Sequence, residues 1–144
     1  MHLFPKNVNF LSTKRYIDGG MSIENFENFN LALHVNDRKE SVLVNRSILK
    51  DFYGLPSEPV WINQIHSSIC VDASSTKRII KADASFTINP GVVCAVLTAD
   101  CLPVFVSKKD GSMVGIAHAG WKGLISGVIE NLIESFHCNG DDLV

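Results

Sequence analysis

The 144-residue chain predicts an α/β (α+β) fold, a mixed-sheet sandwich with flanking helices. Three observations carry that reading. VVCAVL, Val92 to Leu97, is continuously apolar and too short for a helix; SKKDGS, Ser107 to Ser112, is a turn cluster between strand-like segments; and apolar residues recur every three or four positions after Gly120. Strands mixed with helices on this scale pack as layers around a core, which a chain of this length can bury. No repeat, linker or low-complexity tract divides it, so residues 1–144 are expected to form a single domain.

The elements follow in order. From Asp37, DRKESVLVNRSILKDFYGLP shows a capping-box pattern at Asp37 and Glu40, apolar positions at Val44, Ile48, Leu49 and Phe52, and a stop at Gly54 and Pro56. It predicts a helix. VWINQIH, Val60 to His66, is rich in β-branched and aromatic residues and predicts a strand with Ile62, Gln64 and His66 on one face. VVCAVL predicts a strand covered on both faces, and Val104 to Val106 another. Trp121, Leu124, Ile125, Val128, Ile129, Leu132, Ile133 and Phe136 form the stripe of one amphipathic helix.

Thirteen basic against fifteen acidic side chains leave a net charge of −2. That is not the basic excess that binding a phosphate backbone needs, so nucleic acid is not an expected partner. No apolar run approaches the roughly 20 residues of a membrane span, and the opening MHLFPKNVNF has no signal-peptide core. A cytoplasmic protein with no membrane partner is expected. Cys70, Cys94, Cys101 and Cys138 show no CxxC pairing, and a cytosolic setting disfavours disulfides. Each reads by default as a small buried hydrophobe.

The turn cluster invites antiparallel pairing of its flanks. A loop centred between Lys109 and Asp110 sets Cys101 directly opposite His118, with Cβ atoms about 5 Å apart. A two-residue Asp110-Gly111 turn makes them diagonal instead. Either register keeps both on one face. The pair fits a metal site or a Cys-His nucleophile equally. Zinc needs a third ligand. His2 is terminal, His137 follows the last helix and His34 lies in NLALHVND, so His66 is the best candidate. Ligands 35 and 17 residues apart form no compact motif, and hydrogen-bonded histidines at strand ends remain an alternative. Arg46 on the first helix has no acidic residue four positions on; its planar fork can hold an oxyanion such as phosphate, and a solvated helix arginine is the equal alternative. Asp100, beside Cys101, and Asp83 could each accept a proton or orient a ligand, although turn-capping is commoner. Gln64 is placed to support His66 by a hydrogen bond, and Trp121 to pack within the helical stripe.

At these residues the chain resembles the YfiH-type family, also described as laccase-domain or polyphenol-oxidase-like proteins, purine nucleoside phosphorylases and peptidoglycan-editing factors. The resembling segments are FNLALHV (Phe29 to Val35), Asn45-Arg46, VWINQIH, ADA (Ala82 to Ala84), TADCLPVFV (Thr98 to Val106) and IAHAGWKGL (Ile116 to Leu124). The resemblance implies a YfiH-like fold in which His66, Cys101 and His118 hold Zn2+. It also implies phosphorolysis of purine nucleosides by phosphate, with deamination of adenosine as a further activity. Catalytic roles are then expected for Cys101, His118, His66 and Asp100, and substrate-binding roles for Arg46, Arg15 and Gln64. Copper at the same site is the lesser alternative, since a multicopper laccase needs an imidazole-rich cluster and the chain has five histidines.

The chain departs from the family in three ways. Lys14 stands where the family has the arginine of Ser-Thr-Arg, leaving Arg15 as substitute; Lys122 replaces an arginine after the tryptophan; and the C-terminal part usual in the family is missing. The sequence therefore predicts an incomplete domain, less stable than a full-length relative and prone to associate through an unfinished sheet edge. Two competing readings remain. One is a metal-free Cys-His hydrolase or amidase acting in peptidoglycan editing, and the other is an inactive truncated remnant that only binds a partner.

Overall fold

The computed structural model describes residues 4–75 and 80–144. Residues 11–58 form one compact unit, and residues 4–10 together with 59–144 form another.

In the 11–58 unit the predicted helix is α1, Lys39–Phe52. It ends through its glycine as expected. Gly54 adopts φ 60, its amide bonds Asp51 O at 3.3 Å and the Leu55 amide bonds Lys50 O at 2.9 Å, the two bonds of a Schellman stop. The capping box does not form. Arg38 is the N-cap, with no side-chain cap, because the Asp37 carboxylate is engaged by Ser22 Oγ at 2.6 Å and Asn30 Nδ2 at 2.9 Å. The buried face also differs from the predicted stripe. Val42, Asn45 and Leu49 face inward, whereas Val44 and Phe52 are 43% and 62% exposed. Asn45 sets this rotation. Its Oδ1 accepts from Met21 N at 2.8 Å and its Nδ2 donates to Ser22 Oγ and Asn30 O, both at 2.9 Å, and a buried amide must keep such partners.

Among its described residues the second unit contains six strands. These are β1 (Val60–Trp61), β2 (Cys70–Asp72), β3 (Ala84–Thr87), β4 (Cys94–Ala95), β5 (Leu102–Ser107) and β6 (Val114–Ala119). A four-stranded mixed sheet runs β2-β3-β6-β5, with β2 parallel to β3 and the other pairs antiparallel. Near Ser107 the outer edge of β5 is occupied by the segment 142–144, where Ser107 and Val144 exchange both backbone bonds at 2.9 Å. β1 and β4 form a separate parallel pair. Both are shorter than VWINQIH and VVCAVL predict, and Val92 to Leu97 are half-buried rather than covered on both faces.

The β5–β6 hairpin takes the second of the two predicted registers. Pro103, not Cys101, lies opposite His118. The cause is the turn: Gly111 has φ 72 and its amide bonds Lys108 O at 2.9 Å. Glycine adopts a positive φ at no steric cost, so the loop is centred on Asp110-Gly111.

The single helix expected after Gly120 is two. α2 (Trp121–Ile125) and α3 (Val128–Glu134) are separated at Gly127, whose φ is 87. Only the second half of the apolar stripe is core. Val128, Leu132 and Phe136 are at most 1% exposed and pack on the sheet residues Ala84, Val106 and Ala117. Gly115 in β6 admits them, since a Cβ there would sit 2.8 Å from Leu132 Cδ1. Trp121 and Ile125, by contrast, are 67% and 81% exposed, so Trp121 is not the packed residue the periodicity indicated. All four cysteines are free and half-buried. Among the described residues no helix is long and apolar enough to cross a membrane.

Two outcomes follow from this packing. Leu132→Ala should lower unfolding free energy in urea by roughly 2–5 kcal/mol, while Ile125→Ala should change it by no more than about 0.5 kcal/mol; equal losses would mean that both helices share the core. Desolvation would raise the Asp37 carboxyl, but the bonds from Ser22, Asn30 and the Arg38 amide outweigh it and hold the group below its ordinary value. Its contribution is therefore present at neutral pH and lost as pH falls below about 4, so stability curves of the wild type and Asp37→Asn should converge in acid.

Candidate metal centre

His66, Cys101 and His118 converge. One ligand atom from each lies within 4.8 Å of the other two, and the two imidazoles meet edge to face with centroids 4.8 Å apart. Three separate pieces of backbone produce this arrangement. His118 is carried by β6 and is 5% exposed. Cys101 immediately precedes β5, diagonal to His118 on the same face of the ladder, as the period of two requires. His66 lies beyond β1 in a turn, exposed and with φ 58. The predicted common face of Ile62, Gln64 and His66 is therefore absent.

The position across the ladder from Cys101 falls to Gly120, and its missing side chain makes room for the site. A Cβ at Gly120 would lie 2.6 Å from His66 Nδ1 and 3.1 Å from Cys101 Sγ. Gly120 has φ −73, which any residue adopts, so the requirement is for space and not for backbone freedom.

Asp83, fully buried, lies behind the two histidines. The β3–β6 register pairs Ala84 with Ala117, and the next step faces Asp83 with His118. Their contacts confirm it: His118 N donates to Asp83 O at 2.7 Å, and His118 Nδ1 lies 2.9 Å from Asp83 Oδ1. An ionised carboxylate only accepts, so Nδ1 carries a proton, and in the neutral ring Nε2 presents its lone pair. The same carboxylate accepts from Ile65 N at 3.1 Å, His66 N at 3.0 Å, Ser67 N at 2.7 Å and Ser67 Oγ at 2.8 Å. A non-glycine residue at positive φ costs about 1–2 kcal/mol. Each bond to a charged acceptor contributes roughly 1.5–3 kcal/mol, which offsets the strain at His66 more than once. Desolvation pushes the Asp83 carboxyl up, but the bonds from His118, Ser67 and Ile65 prevail and keep it below its ordinary value.

The donor set fits a divalent ion: one thiolate and two neutral imidazoles, with a carboxylate behind one of them, is a pattern that leaves zinc an open position. The Cys101 thiol is raised first by desolvation and then by the charge and hydrogen bond of Asp100, which is exposed beside it. A coordinated cation reverses that, since it ionises a bound thiol outright.

The other predicted site residues are engaged elsewhere. Gln64 donates to Leu97 O at 2.8 Å and accepts from Leu97 N at 2.7 Å, so its amide extends the β1–β4 pairing instead of supporting His66. In the 11–58 unit, Arg46 Nε and Nη2 donate to Leu31 O at 2.9 and 2.8 Å, and Arg15 Nε and Nη2 donate to Glu27 O and Asn25 O at 3.1 and 3.0 Å. A cleft of about 450 Å3 beside β2, lined by Cys70, Glu134 and His137 among others, contains none of the three ligands. Sequence reasoning missed Gly120 and Ser67, and for Asp83 it left open whether it orients a ligand, accepts a proton or caps a turn. A lone aspartate between two alanines was the one visible signal.

Gly120→Ala should leave the unfolding midpoint of the metal-free chain nearly unchanged while lowering Zn2+ affinity by about tenfold or more, an effect of the size seen when ligand geometry is disturbed. Equilibrium competition with a chromophoric chelator measures it, and unaltered affinity would show that Gly120 leaves no needed space.

Known proteins resemble the chain over almost its whole length. A purine nucleoside phosphorylase of Haemophilus influenzae is 39% identical over 140 residues, and the purine nucleoside phosphorylase YfiH of Escherichia coli is 40% identical over 141; each alignment covers 97% of this chain and 57% of the relative. The chain thus spans a little over half the length of the curated relatives it matches. Among solved structures, a Neisseria meningitidis protein superposes with a TM-score of 0.82 at 40% identity, covering 88% of this chain and 52% of that one. YfiH of Bacillus licheniformis gives 0.78 at 29%, covering 88% and 53%. The family model described as multi-copper polyphenol oxidoreductase laccase matches residues 9–143, and the chain belongs to that family.

Proposed function

We propose that the chain carries a zinc centre for purine nucleoside phosphorolysis, with adenosine deamination as a second activity of the same centre. One observation carries the reading: the three metal-competent side chains meet in a chain aligned over 97% of its length with proteins named purine nucleoside phosphorylases. His66, Cys101 and His118 would hold the ion, which when bound supplies Lewis acidity at an open coordination position. Asp100, exposed beside Cys101, would take or give a proton there. Phosphate binding by Arg46 and Arg15, and a substrate contact from Gln64, require those side chains to exchange their present backbone partners. The family's multicopper description does not carry over to chemistry here. A laccase needs a blue-copper centre and a second imidazole-rich cluster, and the one group of three metal-competent ligands found among the described residues contains two histidines.

A second reading draws on the same geometry. Asp83, His118 and Cys101 stand in the order of an orienting acid, a base and a nucleophile, as a metal-free hydrolase or amidase would need. The raised Cys101 thiol argues against it, because nucleophilic cysteines have lowered values. His66, which such a triad does not use, also favours the ion.

Purified chain loaded with Zn2+ should convert adenosine and phosphate to adenine and ribose 1-phosphate, with inosine and hypoxanthine from the deaminase branch. Cys101→Ala should lose both the products and the bound zinc. Turnover by Cys101→Ala at the wild-type rate, or none by the loaded wild type, overturns the proposal; rapid alkylation of Cys101 in a zinc-free preparation would favour the hydrolase.

A further inference from the structure

We propose that Asp83 is the positioning residue of the metal centre, one carboxylate that fixes the tautomer of His118 and the turn that presents His66. Its two oxygens divide the donors of β6 and of the turn at 65–67 between them. Oδ1 takes His118 Nδ1 at 2.9 Å and His66 N at 3.0 Å, so a single atom ties both imidazole-bearing residues. Oδ2 takes Ile65 N, Ser67 N and Ser67 Oγ at 3.1, 2.7 and 2.8 Å. Three successive amides around a residue at positive φ form a nest for an anion, and the nest at 65–67 encloses the Asp83 carboxylate.

The dependence runs in both directions. A carboxylate with no solvent exposure is tolerated only if its lone pairs are met, and here the donors that meet them belong to the ligand-bearing segments. If the carboxylate is lost, the nest has no anion to fold around and His118 has no acceptor at Nδ1. The ring is then free to place its proton on Nε2, which abolishes the lone pair that faces Cys101 and His66. Asp83 touches neither ion nor substrate in this scheme. It acts through the two histidines.

The proposal rests on the zinc reading for one of its two tests, and the other is independent of it. In the metal-free wild-type chain, long-range 1H–15N correlation spectra should show His118 protonated at Nδ1 and bare at Nε2; a proton on Nε2 overturns the assignment whatever the chain binds. Asp83→Asn keeps the shape but turns an NH2 toward donors, so Zn2+ affinity measured by chelator competition should fall about 10–100-fold. Ser67→Ala, which removes one donor of five, should stay near wild type. An Asp83→Asn chain that folds, by its circular dichroism, and binds Zn2+ as the wild type does would overturn the proposal. A wild type that binds no Zn2+ would sink the metal reading and leave the tautomer spectrum to decide about Asp83.

Discussion

A buried carboxylate must be surrounded by donors, and the donors around Asp83 are the segments that hold the candidate ligands. This constraint organises the site. The β3–β6 ladder delivers His118 to one oxygen, and the turn at 65–67 closes on both. Without the ladder the turn would have no anchor; without the turn, His66 would continue the extended direction of β1. The strain of a left-handed histidine is thus a local cost of bringing a residue from outside the four-stranded sheet to a cysteine and a histidine at its end.

The core and the site lie at different places on the same sheet. Leu132 and Phe136 cover the N-terminal part of β6 at Gly115, whereas His118 and Gly120 are at its C-terminal end. α2 and α3 divide accordingly: α3 seals the core, while α2 begins at the site and exposes Trp121 and Ile125. The break at Gly127 allows this.

Much of this was legible in the sequence, for reasons that differ by residue. Local signals worked where the physics is local: Gly54 stopped α1, and a glycine after Asp110 fixed the hairpin in one of two registers, both of which kept Cys101 and His118 on one face. Elimination among the five histidines pointed to His66, and the family resemblance then favoured a metal site over hydrogen-bonded histidines, which spacing alone left open. What was not legible depended on contacts distant in sequence. Asp83 meets His118 only because β3 pairs with β6, and no pattern near either residue announces that pairing. Asn45 reads as a polar break in an apolar stripe until Met21, Ser22 and Asn30 are seen to satisfy it. Gln64 looked like a partner for the imidazole two residues on, yet its amide reaches across to Leu97. Gly127 sat within an unbroken apolar period, and periodicity does not register backbone handedness.

The manner in which the ligands are held also bears on what an ion would do here. In a structural zinc site the ion itself closes the fold, and the ligand loops have little else to order them. His66, Cys101 and His118 are each positioned by contacts that involve no ion: a carboxylate nest, a strand end opposite a glycine, and a ladder residue with its tautomer set. The hydrophobic cluster under α3 shares no residue with them. On the proposed reading, an ion entering such a site would meet three ligands already in place, and a position left over is the condition for chemistry and not for scaffolding. On the function proposed above, preorganisation of the ligands, more than their number, is what would separate a reactive centre from a structural one.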